Sequence, residues 1–288
     1  MRYTIEPLTG KEYIQIAEHY YAVRDEWFQL TKEEQHLEMC VCAAKHRKHL
    51  MFTGESARVI RRIPRLGDPE VKPHCLSDIR KTSDEVIYWH YGPLDPNASI
   101  ICDLLVVSEV QMICDLATSD TPESLLVSIN HCLNKNLFTK EQLLSAIDAR
   151  PYMKGGVMLK RLLRFATSKC ESPLETIAML AIYKAGLTMP QQQVVIRDNK
   201  RAFIGCVDMY WEISKRKIVL EMDGQSKYRN DKDGKVQFTE KVREDKLREQ
   251  GYEVVRSIWS EVMNGKLVQK LIDKNIPSRR FSKREFPS

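Results

Sequence analysis

Three acids stand in runs that otherwise read as apolar strands. Asp208 interrupts Cys206-Val-Asp-Met-Tyr-Trp211, and Glu221 and Asp223 interrupt Ile218-Val-Leu-Glu-Met-Asp223. Side chains alternate faces along a strand, so Glu221 and Asp223 project together while Leu220 and Met222 go to the other side. If the two runs pair through their short connection, Asp208 comes close to Glu221. Clustered carboxylates repel one another unless a cation or a proton relieves them. An all-oxygen donor set of this kind suits Mg²⁺ or Mn²⁺, with water and substrate phosphate filling the remaining positions. The competing reading is that these are strand-end acids reaching solvent. Lys227 lies six residues after Glu221, just past the Asp223-Gly224 loop, and is either a cation returned to such a site or an ordinary surface lysine.

The elements that must position these acids are legible from Ser172 onward as α-β-β-β-α-β. Ser172-Pro173-Leu174-Glu175 supplies an N-cap, a first-turn proline and a capping-box acid. Leu174, Ile177, Ala178, Ala181, Ile182 and Ala185 form one apolar stripe, closed by Gly186. Three β-type runs follow at Gln193–Ile196, Phe203–Trp211 and Lys217–Met222. The Asp198-Asn199 and Ser214-Lys215 turns predict an antiparallel meander. A charged helix over about Thr239–Gln250 ends at Gly251, and Tyr252–Trp259 reads as a fourth strand. The expectation is a mixed sheet with a helix on each side.

The chain has 288 residues, 45 Lys+Arg against 39 Asp+Glu, and eight cysteines. That length predicts two domains. We place them at 1–155 and 156–288, with Gly155-Gly156 as the hinge. Residues 151–288 hold 28 Lys+Arg against 17 Asp+Glu, leaving residues 1–150 with 17 against 22. A basic half joined to an acidic half points to a polyanion as partner, nucleic acid first, against a solvated basic surface with no partner. No run reaches the ~18 apolar residues of a membrane span, and the N-terminus lacks a signal-peptide pattern. Scattered cysteines without C-x-x-C spacing read as reduced, mostly buried thiols of a cytoplasmic protein. Cys40, Cys42, His74 and Cys75 have unusual spacing for a zinc site and read the same way.

The N-terminal half is expected to be a smaller mixed α+β domain. Thr31-Lys-Glu-Glu34 opens a helix through about Ala44, and Phe52–Arg58 is a loop leading into a short helix. Short β-type runs sit at Val86–Trp89 and Ile100–Val107. Thr121-Pro122 and Thr139-Lys-Glu-Gln142 open two further helices. The basic segment Pro277–Ser288 reads as a tail.

Asp208, Glu221-Met-Asp-Gly224, Lys227-Tyr228, Glu240-Lys-Val-Arg-Glu-Asp245 and Gly251-Tyr-Glu-Val-Val-Arg256, taken in order, resemble the PD-(D/E)XK nuclease superfamily. More narrowly they look like its very-short-patch-repair-like branch. The likeness covers about Glu171–Val268; the Ser172–Glu175 cap, Gly186-Leu and the Gln191–Gln193 run fit it too. Phe52-Thr-Gly-Glu-Ser-Ala57 and Asp115-Leu-Ala117 resemble, more weakly, actinobacterial proteins related to the AbiEi abortive-infection antitoxins. No clear winged helix-turn-helix accompanies them.

The superfamily resemblance implies a restriction-endonuclease-like α/β fold and metal-assisted phosphodiester hydrolysis, with Mg²⁺ or Mn²⁺ as cofactor. It implies Asp208 and Glu221 as metal-binding acids and Glu175 as the helix acid that holds water at the metal. Glu175 is equally accounted for as a capping-box residue, with Glu171 as the fallback. Asp223 stands where the E-x-K signature has lysine. Lys227 takes that lysine's role, with Lys241 as a second candidate; Lys241, Asp245 and Arg248 also read as one solvated helix face. Arg243, Arg279, Arg280, Lys283 and Arg284 would hold the nucleic-acid backbone. Tyr228 and Trp211 could stack on bases, with core packing the better account of Trp211. The expected function is a DNA endonuclease of phage defence or repair, with RNA left open as a substrate. The alternatives are an inactive nuclease-fold DNA-binding regulator or antitoxin-like protein, and an interaction scaffold. A homodimer, or a partner protein held by the N-terminal domain, is compatible with each.

Overall fold

The computed structural model describes residues 3–4, 12–17, 20–223 and 235–278. It is a mixed α/β protein of two units, Met1–Ala166 and Thr167–Ser288.

In the first unit, β1 (Tyr3–Thr4), β2 (Tyr13–Ala17) and β3 (Tyr20–Val23) form an antiparallel sheet in the order β1-β3-β2. Helices α1 (Arg24–Gln29) and α2 (Lys32–His46) follow, and α2 starts at the Thr31/Glu34 capping box read from the sequence. A second sheet has the order β6-β5-β4-β8-β7, from β4 (Met51–Phe52), β5 (His74–Ser77), β6 (Tyr88–Tyr91), β7 (Ser99–Ile101) and β8 (Leu104–Val106). The run Ile100–Val107 is therefore two strands rather than one. Cys102 and Asp103 both have positive φ, the twist a two-residue hairpin turn needs. Helix α3 (Gly54–Ile60) lies between β4 and β5 in the chain, and α4 (Glu109–Leu116), α5 (Pro122–Asn134), α6 (Lys140–Asp148) and α7 (Gly156–Phe165) follow β8.

The boundary between the units falls at Ala166/Thr167 and not at Gly155-Gly156. The reason is packing. Leu159, Leu162, Leu163 and Ala166 of α7 and its C-cap are buried in the same core as Phe52, Leu125, Ile129 and Leu143. Gly155 is the N-cap of α7 at φ 82°, and a Cβ there would run into the Ala117 backbone. The glycine serves close approach within the first unit. Cys40, Cys42, Cys75, Cys114 and Cys132 of this unit are buried while Cys102 is exposed, and burial pushes the Cys40 and Cys42 thiols up to about 12.

The second unit follows the expected order α8 (Pro173–Lys184), β9 (Gln191–Arg197), β10 (Phe203–Ile213), β11 (Arg216–Asp223), α9 (Lys235–Glu249) and β12 (Tyr252–Ile258). Two helices not anticipated from the sequence complete it, α10 (Trp259–Met263) and α11 (Lys266–Asp273). The sheet order is β12-β11-β10-β9. β9, β10 and β11 form the antiparallel meander, and β12 returns through α9 to pair parallel with β11. Ser214 and Lys215, both at positive φ, make the tight β10–β11 turn. Ile196, Val207, Tyr210, Val219 and Leu247 pack into a core that joins sheet and α9. Trp211 is buried and donates its indole N–H to the Thr188 carbonyl at 2.8 Å, so it is a core residue. Among the described residues no helix is long and apolar enough to cross a membrane.

Candidate functional site

The site grows out of the register of the meander. Met209 pairs with Leu220 in the β10–β11 ladder, so the next step outward sets Asp208 against Glu221. The ladder stops at that step, and the Asp208 side chain replaces the next backbone acceptor. Its Oδ2 accepts the Met222 N–H at 2.8 Å. On the other side of β11, Glu221 pairs in register with Arg256 of β12. The two acids meant to sit together are thus on neighbouring strands at the point where the ladder opens.

Glu221 is 6% exposed, a charge placed where acids are seldom found without a partner. Arg243 of α9 provides one, its Nη2 standing 2.9 Å from Oε2. Glu221 Oε1 is buried and has no hydrogen-bond partner among the described residues. Burial pushes the carboxyl up to about 7; the Arg243 charge opposes that and the neighbouring Asp208 charge adds to it. Asp208 and Glu221 therefore feel one another as like charges.

Glu175 closes the cluster from α8. It is 5% exposed, and its carboxyl is raised first by burial and further by Asp208, against the hydrogen bonds it accepts. Those bonds hold one half of the capping box, the Ser172 N-cap, with the Glu171 amide in place of the Ser172 amide as backbone donor to the carboxylate. Glu175 N–H donates to Ser172 Oγ, Ser172 O–H donates to Oε1 at 2.8 Å, and Glu171 N–H donates to Oε2 at 3.0 Å. Gln193 Nε2 also donates to Oε2, at 3.1 Å. The Ser172 N-cap is present, and both carboxylate oxygens of Glu175 are engaged.

Gln193 is the residue whose importance the sequence hid. It stands opposite Asp208 on β9, between the Val194–Val207 and Gln192–Met209 pairs, at φ 51°. A left-handed non-glycine residue inside a strand breaks the alternation. The result is an amide that bridges Glu175 to β10, its Oε1 accepting from Cys206 Sγ at 3.3 Å. The run of three glutamines at a strand start was the signal available.

Asp223, in place of a lysine, is a partner to an arginine. Arg256 Nη1 lies 3.3 Å from Asp223 Oδ2, and its Nε is 2.9 Å from Glu244 of α9. Lys241 is exposed on α9. The α9 cation that reaches Glu221 is Arg243, two residues on. Lys227, Tyr228, Arg279, Arg280, Lys283 and Arg284 lie outside the described residues.

Among the described residues no group of three His, Cys, Asp or Glu side chains is arranged to hold a metal ion. A small hard cation asks less of the protein: Mg²⁺ is commonly bound by one or two carboxylates, the rest being water and phosphate. The unpartnered Glu221 Oε1, next to Asp208, fits that requirement. Compared with protein-family models, with curated proteins and with solved structures, the chain gives no match.

Proposed function

We propose that the second unit is a metal-dependent endonuclease that hydrolyses DNA phosphodiester bonds, built on a restriction-endonuclease-like αβββαβ core. The observation that carries the reading is the buried, unpartnered Glu221 Oε1 at the mouth of the β10–β11 ladder, beside Asp208. A buried carboxylate oxygen without a donor is costly, and a divalent cation is the group that would relieve it. Asp208 and Glu221 would hold Mg²⁺ or Mn²⁺, which when bound polarises a phosphate and acidifies water. Asp208 keeps its orientation through the Met222 amide. Glu175, clamped by Ser172, Glu171 and Gln193, fixes the start of α8 against β9 and raises the negative potential at Asp208. The excess of Lys and Arg in residues 151–288 supplies the general attraction for a phosphate backbone. DNA is the substrate proposed; an RNA arm belongs in the same assay.

A second reading has its own observation. Arg243 and Arg256 already neutralise Glu221 and Asp223, as a nuclease fold kept only for binding DNA would allow. Incubating the purified protein with plasmid, single-stranded DNA and RNA in Mg²⁺ or Mn²⁺ separates the two. We expect cleavage that falls at least about 100-fold in Asp208→Ala and Glu221→Ala while DNA binding persists, the scale of losing a group needed in the transition state. Cleavage that survives both changes overturns the assignment. Salt-dependent binding without cleavage supports the regulator instead.

A further inference from the structure

We infer that Arg243 is the phosphate-contacting cation of this site, held ready by Glu221 until a phosphate and a divalent ion arrive. The inference rests on the nuclease reading and names the residue that meets the reacting phosphate.

Four carboxylates, Glu175, Asp208, Glu221 and Asp223, lie on or beside the end of the β10–β11 pair. A phosphodiester is itself an anion, so its approach needs positive charge aimed at the same point. The next residue after Glu221 on the same side of β11 is Asp223, which adds negative charge and is paired with Arg256. The guanidinium in direct contact with Glu221 is that of Arg243.

The fold gives up a side chain to seat it. A Cβ on Gly205 would stand 2.9 Å from Arg243 Cδ, so the arginine stem lies across β10 and a side chain at 205 would push it aside. Arg243 Nη1 also donates to the Cys206 carbonyl at 3.3 Å. A guanidinium carries five N–H donors in a planar fork matched to phosphate oxygens. One Nη on Glu221 and one on Cys206 leave donors over, and the side chain is still 30% exposed. It is tethered by its stem, therefore, with its charged end open to a ligand. A divalent ion taking up the Glu221 carboxylate competes with Arg243 for it, and a phosphate is the natural second acceptor for the released guanidinium.

The test compares wild type with Arg243→Gln, Arg243→Lys and Lys227→Met, with Asp208→Asn as the control for the nuclease reading. Two readouts are taken on the full chain, Mg²⁺-dependent DNA cleavage and the salt dependence of DNA binding. Arg243→Gln should reduce cleavage at least about 100-fold, and Arg243→Lys should recover part of it. With Ca²⁺ at a fixed concentration in place of Mg²⁺, the slope of log affinity against log salt should fall by about 0.9 in Arg243→Gln, the value of one phosphate contact. Cleavage by Arg243→Gln within about threefold of wild type, with Lys227→Met inactive, overturns the inference and leaves the nuclease standing. If no variant cleaves, wild type included, the nuclease reading fails while the salt slope still decides whether Arg243 meets phosphate. An unchanged slope overturns the inference, and absence of DNA binding overturns both.

Discussion

Asp208 and Met222 are joined by a hydrogen bond in which a carboxylate oxygen does the work of a backbone carbonyl, Oδ2 to N–H at 2.8 Å. A strand pair that ended in the ordinary way would close this position with main chain and leave Asp208 to solvent. Here the acid is drawn inward, the ladder opens, and Glu221 is left facing the gap with one oxygen unpartnered among the described residues. Site and fold meet in that single substitution of acceptor.

Glu221 predicts a pH dependence of stability with a definite sign. Its carboxyl sits near 7 in the fold against 4.5 in the open chain, so the folded state favours the protonated form. That contribution is fully present below about pH 4.5 and is lost as pH rises through about 7, up to about 3 kcal/mol. In metal-free buffer, wild type should lose stability between pH 5 and 8 relative to Glu221→Gln, read by urea denaturation at several pH values. Added Mg²⁺ should restore wild type at pH 8 and leave Glu221→Gln unmoved. Parallel pH profiles for the two proteins would show that the carboxyl titrates in the ordinary range.

Gly205 and Arg243 should be energetically coupled. Gly205→Ala forces a methyl against the arginine stem and is expected to cost about 1–3 kcal/mol, the usual range for overpacking. In an Arg243→Ala background the three atoms nearest to that methyl are removed. A double-mutant cycle by chemical denaturation should return a coupling of at least about 0.5 kcal/mol. Additive effects would mean that the arginine does not lie across β10 in solution.

Glu175 separates capping from charge. Glutamine is accepted at this place in a capping box, so Glu175→Gln should leave stability within about 1 kcal/mol of wild type and relieve the repulsion with Asp208. Ser172→Ala removes the hydroxyl that serves both the Glu175 amide and carboxylate, and should cost about 1 kcal/mol. Thermal melts of both variants check this, with cleavage measured alongside. Glu175→Gln is expected to cut DNA within about tenfold of wild type, since an orienting residue acts only through others. A loss as deep as that of Asp208→Asn would assign Glu175 to the ion directly.

How far the sequence carries depends on what each residue's signal is made of. The αβββαβ order was legible because each element announces itself locally, in the Ser172 cap, the Ser214-Lys215 turn and the Gly251 stop. The proximity of Asp208 and Glu221 followed from strand pairing through a short turn, which fixes register. Helices α10 and α11 were missed because their starts lack the capping signature: Ile258 and Gly265 precede them without a side-chain cap. The role of Gln193 depends on a left-handed backbone angle that no pattern of residue types encodes. Arg243 and Arg256 read equally well as surface charges, since which acid each one meets is set by how α9 and β12 pack on β11. In the first unit, two adjacent glycines imitate a linker, and only the apolar stripe of α7 argues otherwise.

That stripe has a practical consequence. Leu159, Leu162 and Leu163 are covered by the helices that precede them, so a fragment starting at residue 156 would carry a greasy helix with its proper cover removed. Such a fragment should clump in solution for reasons unrelated to its chemistry. Beginning instead at Thr167 leaves α7 with the core that buries it, and gives the acidic pocket its fairest trial in isolation.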